Sequence, residues 1–339
     1  MNNYLLKNIF INKKKYNLSN WMNEYYSKIK DKTLKDIPII GSHDSGSYSC
    51  NGAYGISPKS GFPNNLYFLS KIFRLDYKFY NWSIDQRSKI QEQLYNGIRY
   101  FDLRICLSIL DNKIRIIHGF YGVELSIIFT EIVNFLNINP NEFIILNLSE
   151  FSWTKKKDMN IVSHIFLSKK INDIFGSYLI KNNDKNKTIK ELRKNKGRIL
   201  IIYGDYYQNY DLSNTIKTID NQYIIDGENI LYKPWPNCQK TTDILNYFEK
   251  HMSTYKQINQ KTFIVYKTPL TPNKNMIIKG SLLPCLFISS TKELSLKNKP
   301  FIINWFKENW NKLSVNIITF DWVDLKDCSN FLIWILEKI

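Results

Sequence analysis

Eight short apolar runs, separated by stretches with helical periodicity, restrict the fold more than any other feature of this sequence. Polar or turn residues bound each run, and the runs occupy residues 38–42, 97–106, 113–119, 142–150, 198–205, 228–235, 262–268 and 315–322. Runs that are rich in β-branched and aromatic residues, and apolar on both faces, are typical of buried parallel strands. The sequence therefore predicts eight buried strands.

Helical spacing of apolar residues fills several of the intervals between these runs. The predicted helices cover residues 88–96, 125–136, 241–255, 299–313 and 330–338. Strands that alternate with helices, without an internal repeat, predict an α/β fold, here a single and irregular TIM-type (β/α)8 barrel over residues 1–339. We expect a helical lead-in at residues 1–37 and a long loop over the barrel mouth at residues 51–80.

The net charge of the chain is strongly basic. Its 339 residues include 47 Lys and Arg against 30 Asp and Glu, which gives +17. Such a charge suits a nucleic acid or an anionic membrane as partner. The lysines are spread along the whole chain, however, and no recognised nucleic-acid motif accompanies them. We therefore expect peripheral contact with an anionic membrane and no nucleic-acid partner.

Cysteine usage and the N-terminal residues bear on the compartment. The five cysteines are odd in number, far apart and without a CxxC spacing, which is typical of reduced thiols and not of a disulfide framework or a zinc site. Residues 1–15 are too interrupted by polar side chains for a signal peptide, and no apolar run is long enough to cross a bilayer. These features predict a cytoplasmic protein, and we expect a monomer.

Polar side chains gather at the predicted C-terminal ends of the strands, where TIM-type barrels carry their active sites. His43 and Asp44 follow the first strand, Arg104 lies in the second, His118 ends the third and Asp321 ends the last. Any one of these groups alone could be a satisfied capping residue. Together, two histidines, an arginine and two aspartates predict one site at the barrel mouth.

Two histidines, each oriented by a carboxylate, suit general acid–base cleavage of a phosphodiester. A neutral imidazole takes a proton from the attacking hydroxyl, and a protonated imidazole gives one to the leaving oxygen. An arginine between them neutralises the phosphate charge. Asp102 and Glu150 could contribute to a Mg²⁺ or Ca²⁺ site, but Arg104 at the same rim would repel a cation. The residues therefore favour a mechanism without a metal or another cofactor.

Several motifs, in this order, resemble the X domain of phosphatidylinositol-specific phospholipase C. They are GSHDSGSY (41–48), WSIDQRSKIQEQLYNGIRYFDLRI (82–105), IIHGFYG (116–122) and EFIILNLSE (142–150), followed by KPWPNCQKTTD (233–243) and NIITFDWVD (316–324). The likeness covers roughly residues 20–324 and is nearest to the single-domain and bacterial members. It implies a TIM-type barrel and metal-independent cleavage of an inositol phospholipid by the inositol 2-hydroxyl, which yields diacylglycerol and a cyclic inositol phosphate.

The resemblance also implies a role for each strand-end residue. His43 resembles the general base and Asp321 its orienting carboxylate. His118 resembles the general acid, with Asp44 as its partner. Arg104 stands where the bacterial enzymes place a phosphate-binding arginine and the calcium-dependent eukaryotic enzymes place a metal ligand, in agreement with the expectation of no metal.

The chain departs from the bacterial pattern where the headgroup is bound. The bacterial enzymes carry a lysine after the fourth strand and an arginine after the fifth, whereas this chain offers Ser149, Glu150 and Tyr203 there. Near the sixth strand it offers Lys233 and Trp235. We take these five residues as candidate substrate contacts, and the nature of the inositol headgroup stays open.

Two alternatives to this enzyme remain at the level of sequence. One is a non-catalytic protein that binds inositol lipids, and the other is a phosphodiesterase of another lipid or of a nucleotide. Residues 62–73 combine apolar and basic side chains in the predicted mouth loop. That segment suits docking on an anionic lipid surface, but a loop that packs on its own barrel fits the pattern equally well.

Overall fold

The computed structural model describes residues 9–11, 14–57, 77–108, 110–151, 161–204, 216–217, 219, 221–258 and 262–339. Its strands, in chain order, are β1 (Ile9–Ile11), β2 (Lys14–Tyr16), β3 (Ile39–Ser42), β4 (Tyr100–Leu107), β5 (Ile114–His118), β6 (Phe120–Glu124), β7 (Ile144–Ser149), β8 (Ile199–Tyr203), β9 (Ile224–Asp226), β10 (Leu231–Tyr232), β11 (Phe263–Lys267) and β12 (Ile317–Phe320).

The α-helices are α1 (Trp21–Glu24), α2 (Tyr26–Ile29), α3 (Tyr77–Tyr80), α4 (Ile90–Tyr95), α5 (Leu125–Ile138), α6 (Ile161–Phe175), α7 (Ile189–Leu192), α8 (Gly227–Ile230), α9 (Thr241–Ile258), α10 (Lys274–Leu282), α11 (Thr291–Asn309) and α12 (Lys326–Leu336). Short 3-10 helices cover Leu18–Asn20, Leu34–Asp36, Ser47–Ser49, Gly176–Tyr178, Asn182–Asp184 and Trp310–Lys312.

Eight parallel strands form one curled sheet, with the helices on its outer side. The spatial order is β10-β11-β12-β3-β4-β7-β8-β9, and the helix α8 joins the two outermost strands of this path. The sheet is therefore an irregular α/β barrel of the TIM type, which confirms the predicted fold class. Parallel pairing places the C-terminal ends of all eight strands at the same rim.

The first barrel strand pairs with the last, which brings together residues that lie far apart in the sequence. In the ladder between β3 and β12, Ile39 lies opposite Ile317 and Ser42 lies opposite Phe320. The residues that follow these two strands, His43 and Asp321, are therefore neighbours at the rim although 278 positions separate them.

The predicted strand at residues 113–119 has a different role from the one expected. β5 pairs antiparallel with β4 and with β6, so it belongs to a hairpin beside the barrel. Only residues 108–113 connect β4 to β5, and a parallel crossover needs a dozen residues or more. The eighth parallel strand is instead β9, whose three residues are too few for a recognisable apolar run.

The predicted helices correspond to α4, α5, α9, α11 and α12. The helix α11 begins at Thr291, earlier than predicted, where the Ser290 side chain caps its N-terminus. The predicted helical lead-in contains helices between Leu18 and Asp36, and its described part also includes the antiparallel pair β1–β2. Of the predicted mouth loop, 51–57 form turns and 77–80 form α3, while residues 58–76, including the segment 62–73, lie outside the described residues.

The interior of the barrel is filled by strand side chains, most of them isoleucine, leucine and aromatic residues. All five cysteines are free thiols, and Cys285 is the exposed one. Within the described part of the chain, no helix is both long enough and apolar enough to cross a membrane.

Candidate active site

A cavity of about 370 Å³ opens at the rim formed by the C-terminal ends of the strands. The five strand-end residues that the sequence singled out all line it: His43, Asp44, Arg104, His118 and Asp321. His118 reaches the cavity although its strand belongs to the hairpin, because β5 runs antiparallel to the C-terminal part of β4 and so returns toward the rim. The structure thus brings the whole predicted set together.

His43 is held in one tautomer by its two partners. Its Nδ1 lies 2.9 Å from Oδ1 of Asp321, and its Nε2 lies 3.1 Å from a guanidinium nitrogen of Arg104. A guanidinium nitrogen only donates hydrogen bonds, so Nε2 must accept and the ring proton must lie on Nδ1. His43 therefore presents the lone pair of Nε2 to the cavity rim, which is the form that a general base requires.

The surroundings of His43 keep the ring neutral. Burial, together with the charges of Arg104 and Lys267, lowers the pKa of His43 to about 3, although the Asp44 carboxylate opposes this shift. Burial and the neighbouring carboxylates of Asp85 and Asp44 raise the pKa of Asp321 well above its usual range. The ring also stacks on Trp235, with 5.1 Å between ring centroids.

His118 has the opposite electrostatic environment. Its Nδ1 lies 2.9 Å from the carbonyl oxygen of Ser83 and 3.3 Å from Asp85, and its Nε2 lies 3.4 Å from Asp44. Burial alone would lower the pKa of His118, but the Asp85 and Asp44 carboxylates outweigh it and raise this pKa. Acceptors on both sides of the ring favour the doubly protonated imidazolium, which can act as a general acid.

Asp44 lies between the two histidines and the arginine. Its Oδ1 is 2.5 Å from Nε of Arg104, and its Oδ2 is 3.4 Å from Nε2 of both His43 and His118. The sequence predicted Asp44 as the partner of His118 alone. The carboxylate also raises the pKa of Arg104, against the effect of burial, so the guanidinium keeps its charge inside the site.

A second buried charge cluster lies next to these groups. Asp102 is 3.4 Å from Nζ of Lys233 and 3.7 Å from Nζ of Lys267, and it accepts a hydrogen bond from the side chain of Asn147 at 3.0 Å. Burial raises the pKa of Asp102, but the two lysines outweigh it and lower this pKa. The Lys267 ammonium lies 5.1 Å from the ring centroid of Trp235 and so joins this cluster to the ring that stacks on His43.

The five candidate substrate contacts divide into two groups. Glu150 and Trp235 line the cavity. Lys233 is buried on Asp102, and Ser149 is buried at the end of β7. Tyr203 is buried against the ring of Phe151, and its hydroxyl lies 2.6 Å from Nδ1 of His164. Ser149, Tyr203 and Lys233 are therefore outside the lining of the cavity.

Three contributors were absent from the sequence-based set: Asp85, Gln86 and Lys267. Asp85 and Gln86 stand in WSIDQRS, which is a loop and not a strand end, so the strand-end rule did not select them. Lys267 is the last residue of β11. Applied to all eight runs, the same rule would have found it.

Gln86 connects β3 and β12, the strands that are followed by His43 and Asp321. Its Nε2 donates to the carbonyl oxygens of His43 and Phe320, at 2.8 and 2.9 Å. Its Oε1 accepts from the backbone N–H of Val323 at 3.1 Å. One buried amide therefore satisfies backbone groups on both sides of the His43–Asp321 contact.

Comparison with known sequences matches part of the chain to a family of domains and finds several similar proteins. Residues 77–204 match the family described as phosphatidylinositol-specific phospholipase C, X domain. PI-PLC X domain-containing protein 2 of Mus musculus is 28% identical over 320 residues, covering 93% of this chain and 86% of that protein. A PI-PLC X-box domain-containing protein of Dictyostelium discoideum is 31% identical over 185 residues, covering 55% of this chain and 23% of that protein.

Solved structures share the fold. The phosphatidylinositol-specific phospholipase C of Listeria monocytogenes aligns over 96% of this chain and 99% of its own, with a TM-score of 0.62 and 15% identity. That of Staphylococcus aureus covers 95% of this chain and 97% of its own, with a TM-score of 0.62 and 18% identity. The chain is therefore similar to the phosphatidylinositol-specific phospholipase C X domain in sequence over residues 77–204, and it shares the fold of the two bacterial enzymes over nearly its whole length.

Proposed function

We propose that this protein is a metal-independent phosphodiesterase that cleaves phosphatidylinositol or a related inositol phospholipid into diacylglycerol and a cyclic inositol phosphate. The observation that carries the proposal is the pair of histidines whose pKa values are displaced in opposite directions on either side of Asp44 and Arg104. Two titratable groups of one type, in environments that separate their pKa values, are typical of an acid and base pair.

In the proposed reaction, His43 acts as the base. Its Nε2 takes the proton of the inositol 2-hydroxyl while that oxygen forms a bond to phosphorus. Arg104 holds Nε2 in the structure, so the guanidinium would leave the ring and bind the phosphate when substrate enters. The bond between phosphorus and the diacylglycerol oxygen then breaks, and His118 gives its proton to that oxygen. Arg104 stabilises the charge on the phosphate oxygens as it grows.

The charges around the carboxylates support a mechanism without a divalent metal. Among the described residues, carboxylate and histidine ligand atoms come within 4.8 Å of one another in three groupings: His43 with Asp85 and Asp321, His43 with Asp44 and Asp102, and His118 with Asp44 and Asp85. Arg104, however, lies against both Asp44 and His43, where it would repel a divalent cation. Ca²⁺ takes six to eight oxygen ligands, and this set does not fit it. We therefore derive no step through a metal.

The proposed substrate is an inositol phospholipid because residues 77–204 match the phosphatidylinositol-specific phospholipase C X domain, while the headgroup contacts are particular to this chain. Glu150 lines the cavity, and its carboxylate can accept hydrogen bonds from sugar hydroxyls. The Trp235 ring provides an apolar wall for the inositol ring. Because all five cysteines are free thiols, we also propose a reducing, cytoplasmic setting.

Phosphorus NMR of the purified protein with phosphatidylinositol vesicles in excess EDTA tests the proposal. We expect a cyclic inositol phosphate signal from the wild type and none from the His43→Ala variant. A substrate without the 2-hydroxyl should not react. Rapid cleavage of that analogue would refute attack by the internal hydroxyl, and a signal that depends on added Ca²⁺ would refute metal independence.

The NMR experiment, combined with a vesicle-binding assay and with other phosphodiester substrates, separates the enzyme from the two alternatives, a non-catalytic lipid-binding protein and a phosphodiesterase of another substrate. If the wild type binds phosphatidylinositol vesicles and releases no product under any condition, the non-catalytic lipid-binding protein is the better description. If other phosphodiesters are cleaved and phosphatidylinositol is not, the altered headgroup positions select another substrate.

A further inference from the structure

Lys299, in the helix α11, is a buried cation beside the strand end that carries Asp321. The residue is 2% exposed, and its Nζ donates a hydrogen bond to the carbonyl oxygen of Trp322 at 2.8 Å. Trp322 directly follows Asp321 and has a positive φ of 51°, so this hydrogen bond holds a strained turn. An ammonium group loses its hydration when it is buried, and it needs other charges or dipoles to compensate for that loss.

The direct contacts of Lys299 do not neutralise its charge. The carbonyl group of Trp322 has no net charge, and burial raises the pKa of the neighbouring Cys328 thiol, so this thiol stays protonated. The charge of Lys299 therefore acts over a longer distance. Asp321 is a carboxylate that it affects, because the ammonium lowers the pKa of Asp321.

A second, small cavity connects the two side chains. Lys299 and Asp321 both line this cavity, whose volume of about 20 Å³ is enough for one water molecule. Ser295, one turn earlier in α11, lines it as well, and its hydroxyl donates to the backbone carbonyl oxygen of Asp321 at 3.4 Å. Asp321 also lines the larger cavity together with His43. Its carboxylate therefore has His43 on one side and Lys299 on the other.

The other charges around Asp321 give this cation a role. Burial and two carboxylates favour the protonated form of Asp321, whereas two cations favour its ionised form. One of these cations, Arg104, would turn to the phosphate when substrate enters, but Lys299 stays on its helix. The titratable groups that face Asp321 come from four elements: His43 and Asp44 after β3, Asp85 before α4, Arg104 on β4 and Lys299 on α11.

We propose that Lys299 is a positioning residue of the site, whose buried ammonium keeps Asp321 ionised and holds the turn after it. The ionised carboxylate keeps the proton of His43 on Nδ1, so Nε2 stays free to act as the base. Lys299 acts through Asp321 and is not itself a catalytic residue. The proposal rests on the proposed function for the role of His43 as base, but the protonation of the His43–Asp321 pair can be measured without turnover.

Nitrogen NMR of the His43 ring in the free protein, recorded as a function of pH, tests the role of Lys299 without catalysis. The variant His43→Ala identifies the signal by its absence. The variant Lys299→Met keeps the length of the side chain and removes its charge. In this variant the His43–Asp321 pair should take up a proton at higher pH, by about one unit, because loss of a nearby positive charge favours the protonated form of both groups.

Lys297→Met is the matched control for this variant. Lys297 lies two residues earlier in the same helix, its side chain is 59% exposed, and it pairs with Glu293 at 2.9 Å. Its removal deletes one positive charge from α11 at the surface, where water screens it. The His43 signal should therefore titrate as in the wild type.

The pH–rate profile with a water-soluble inositol phosphodiester supplies a second readout. The acidic limb of Lys299→Met should move to higher pH by the same amount, so the rate at a fixed pH on this limb should fall about tenfold. The rate on the plateau and the KM should change little. A role in folding alone would instead lower the rate by the same factor at every pH. The variant Lys299→Arg keeps the charge and should move the limb back toward the wild-type position.

A His43 signal that titrates identically in the wild type and in Lys299→Met overturns the proposal, and so does a rate that falls equally at every pH. If Lys299→Met does not fold, Lys299→Gln takes its place, because its amide is also uncharged and can donate a hydrogen bond; the same shift is expected. If the wild type cleaves no inositol phosphodiester but the NMR shift is present, the proposed function fails and the assignment of Lys299 stands.

Discussion

At the scale of single residues, the site depends on how the same side chain behaves in two environments. Burial together with the charges of Arg104 and Lys267 lowers the pKa of His43. His118 is also buried, yet the carboxylates of Asp85 and Asp44 raise its pKa. A neutral and a protonated imidazole can therefore exist at the same pH, as acid–base cleavage requires.

Neutralising Asp85 should move one limb of the pH–rate profile. In the Asp85→Asn variant the pKa of His118 should fall, because the carboxylate that favours the imidazolium is gone. Activity at high pH is lost when His118 gives up its proton, so the basic limb should move to lower pH, by up to about one unit. The rate of inositol phosphate release between pH 5 and 9 (roughly the range in which histidines titrate) measures the shift.

Asp243→Asn is the matched control for this variant, because Asp243 is exposed in the first turn of α9. Its profile should coincide with that of the wild type. An Asp85→Asn profile with an unmoved basic limb would contradict the assignment of His118 as the acid.

At the scale of elements, three strands that end at the mouth are followed by residues in a left-handed backbone conformation, which residues other than glycine rarely adopt. Asp44, Glu150 and Trp322 follow β3, β7 and β12, and all three have positive φ angles, of 42°, 75° and 51°. For residues other than glycine, this left-handed region costs on the order of 1–3 kcal/mol. Two of the three, Asp44 and Glu150, line the cavity. Such strain is common at functional sites.

Gln86 holds two of these strand ends together, so its removal should affect stability and turnover. The Gln86→Ala variant leaves the carbonyl oxygens of His43 and Phe320 without their side-chain donor and should lower the free energy of unfolding by about 1–3 kcal/mol. Urea denaturation measures this loss. Because Gln86 acts through the position of His43, kcat should fall while KM changes little.

Gln222→Ala serves as the comparison, since Gln222 is an exposed glutamine that precedes β9, on the N-terminal side of the strands. It should leave both stability and kcat unchanged. If Gln86→Ala lowered stability with an unaltered kcat, Gln86 would be a structural residue only.

At the scale of the whole molecule, one buried ion pair connects the N-terminal segment to the base of the barrel. Arg99 donates to Glu142 at 2.7 and 2.9 Å, and the side chains of both are fully buried. Glu142 also accepts from the backbone N–H groups of Met22 and Asn23, in the helix α1. Arg99 further donates to the carbonyl oxygen of Ser19 at 2.9 Å. The pair therefore joins three distant parts of the sequence.

Breaking this pair should destabilise the entire barrel. Replacement of Glu142 by Gln leaves the guanidinium buried without a counter-charge and should lower the free energy of unfolding by roughly 3–5 kcal/mol. The partly exposed pair of Asp184 and Lys187, at 2.7 Å, is the control, and Asp184→Asn should change stability by less than about 1 kcal/mol. Chemical denaturation measures the free energy of unfolding of both variants. Equal losses in the two variants would contradict the role of the buried pair.

The pattern of residues along the chain was enough for much of the fold and for a set of residues that line one cavity. Apolar runs and helical spacing are local properties, so they predicted the class of barrel and seven of its eight parallel strands. The strand-end rule then selected His43, Asp44, Arg104, His118 and Asp321, because in a parallel barrel the C-terminal ends of the strands meet at one rim.

Only the tertiary structure decided the contacts that long chain separations bring together. The antiparallel course of β5 follows from a connection too short for a crossover, and an apolar run by itself carries no direction. Asp85 and Gln86 enter the site from a loop, and their contacts depend on the pairing of β3 with β12. The opposite pKa shifts of His43 and His118 arise from burial and from charges on other elements, which become neighbours only in the folded chain.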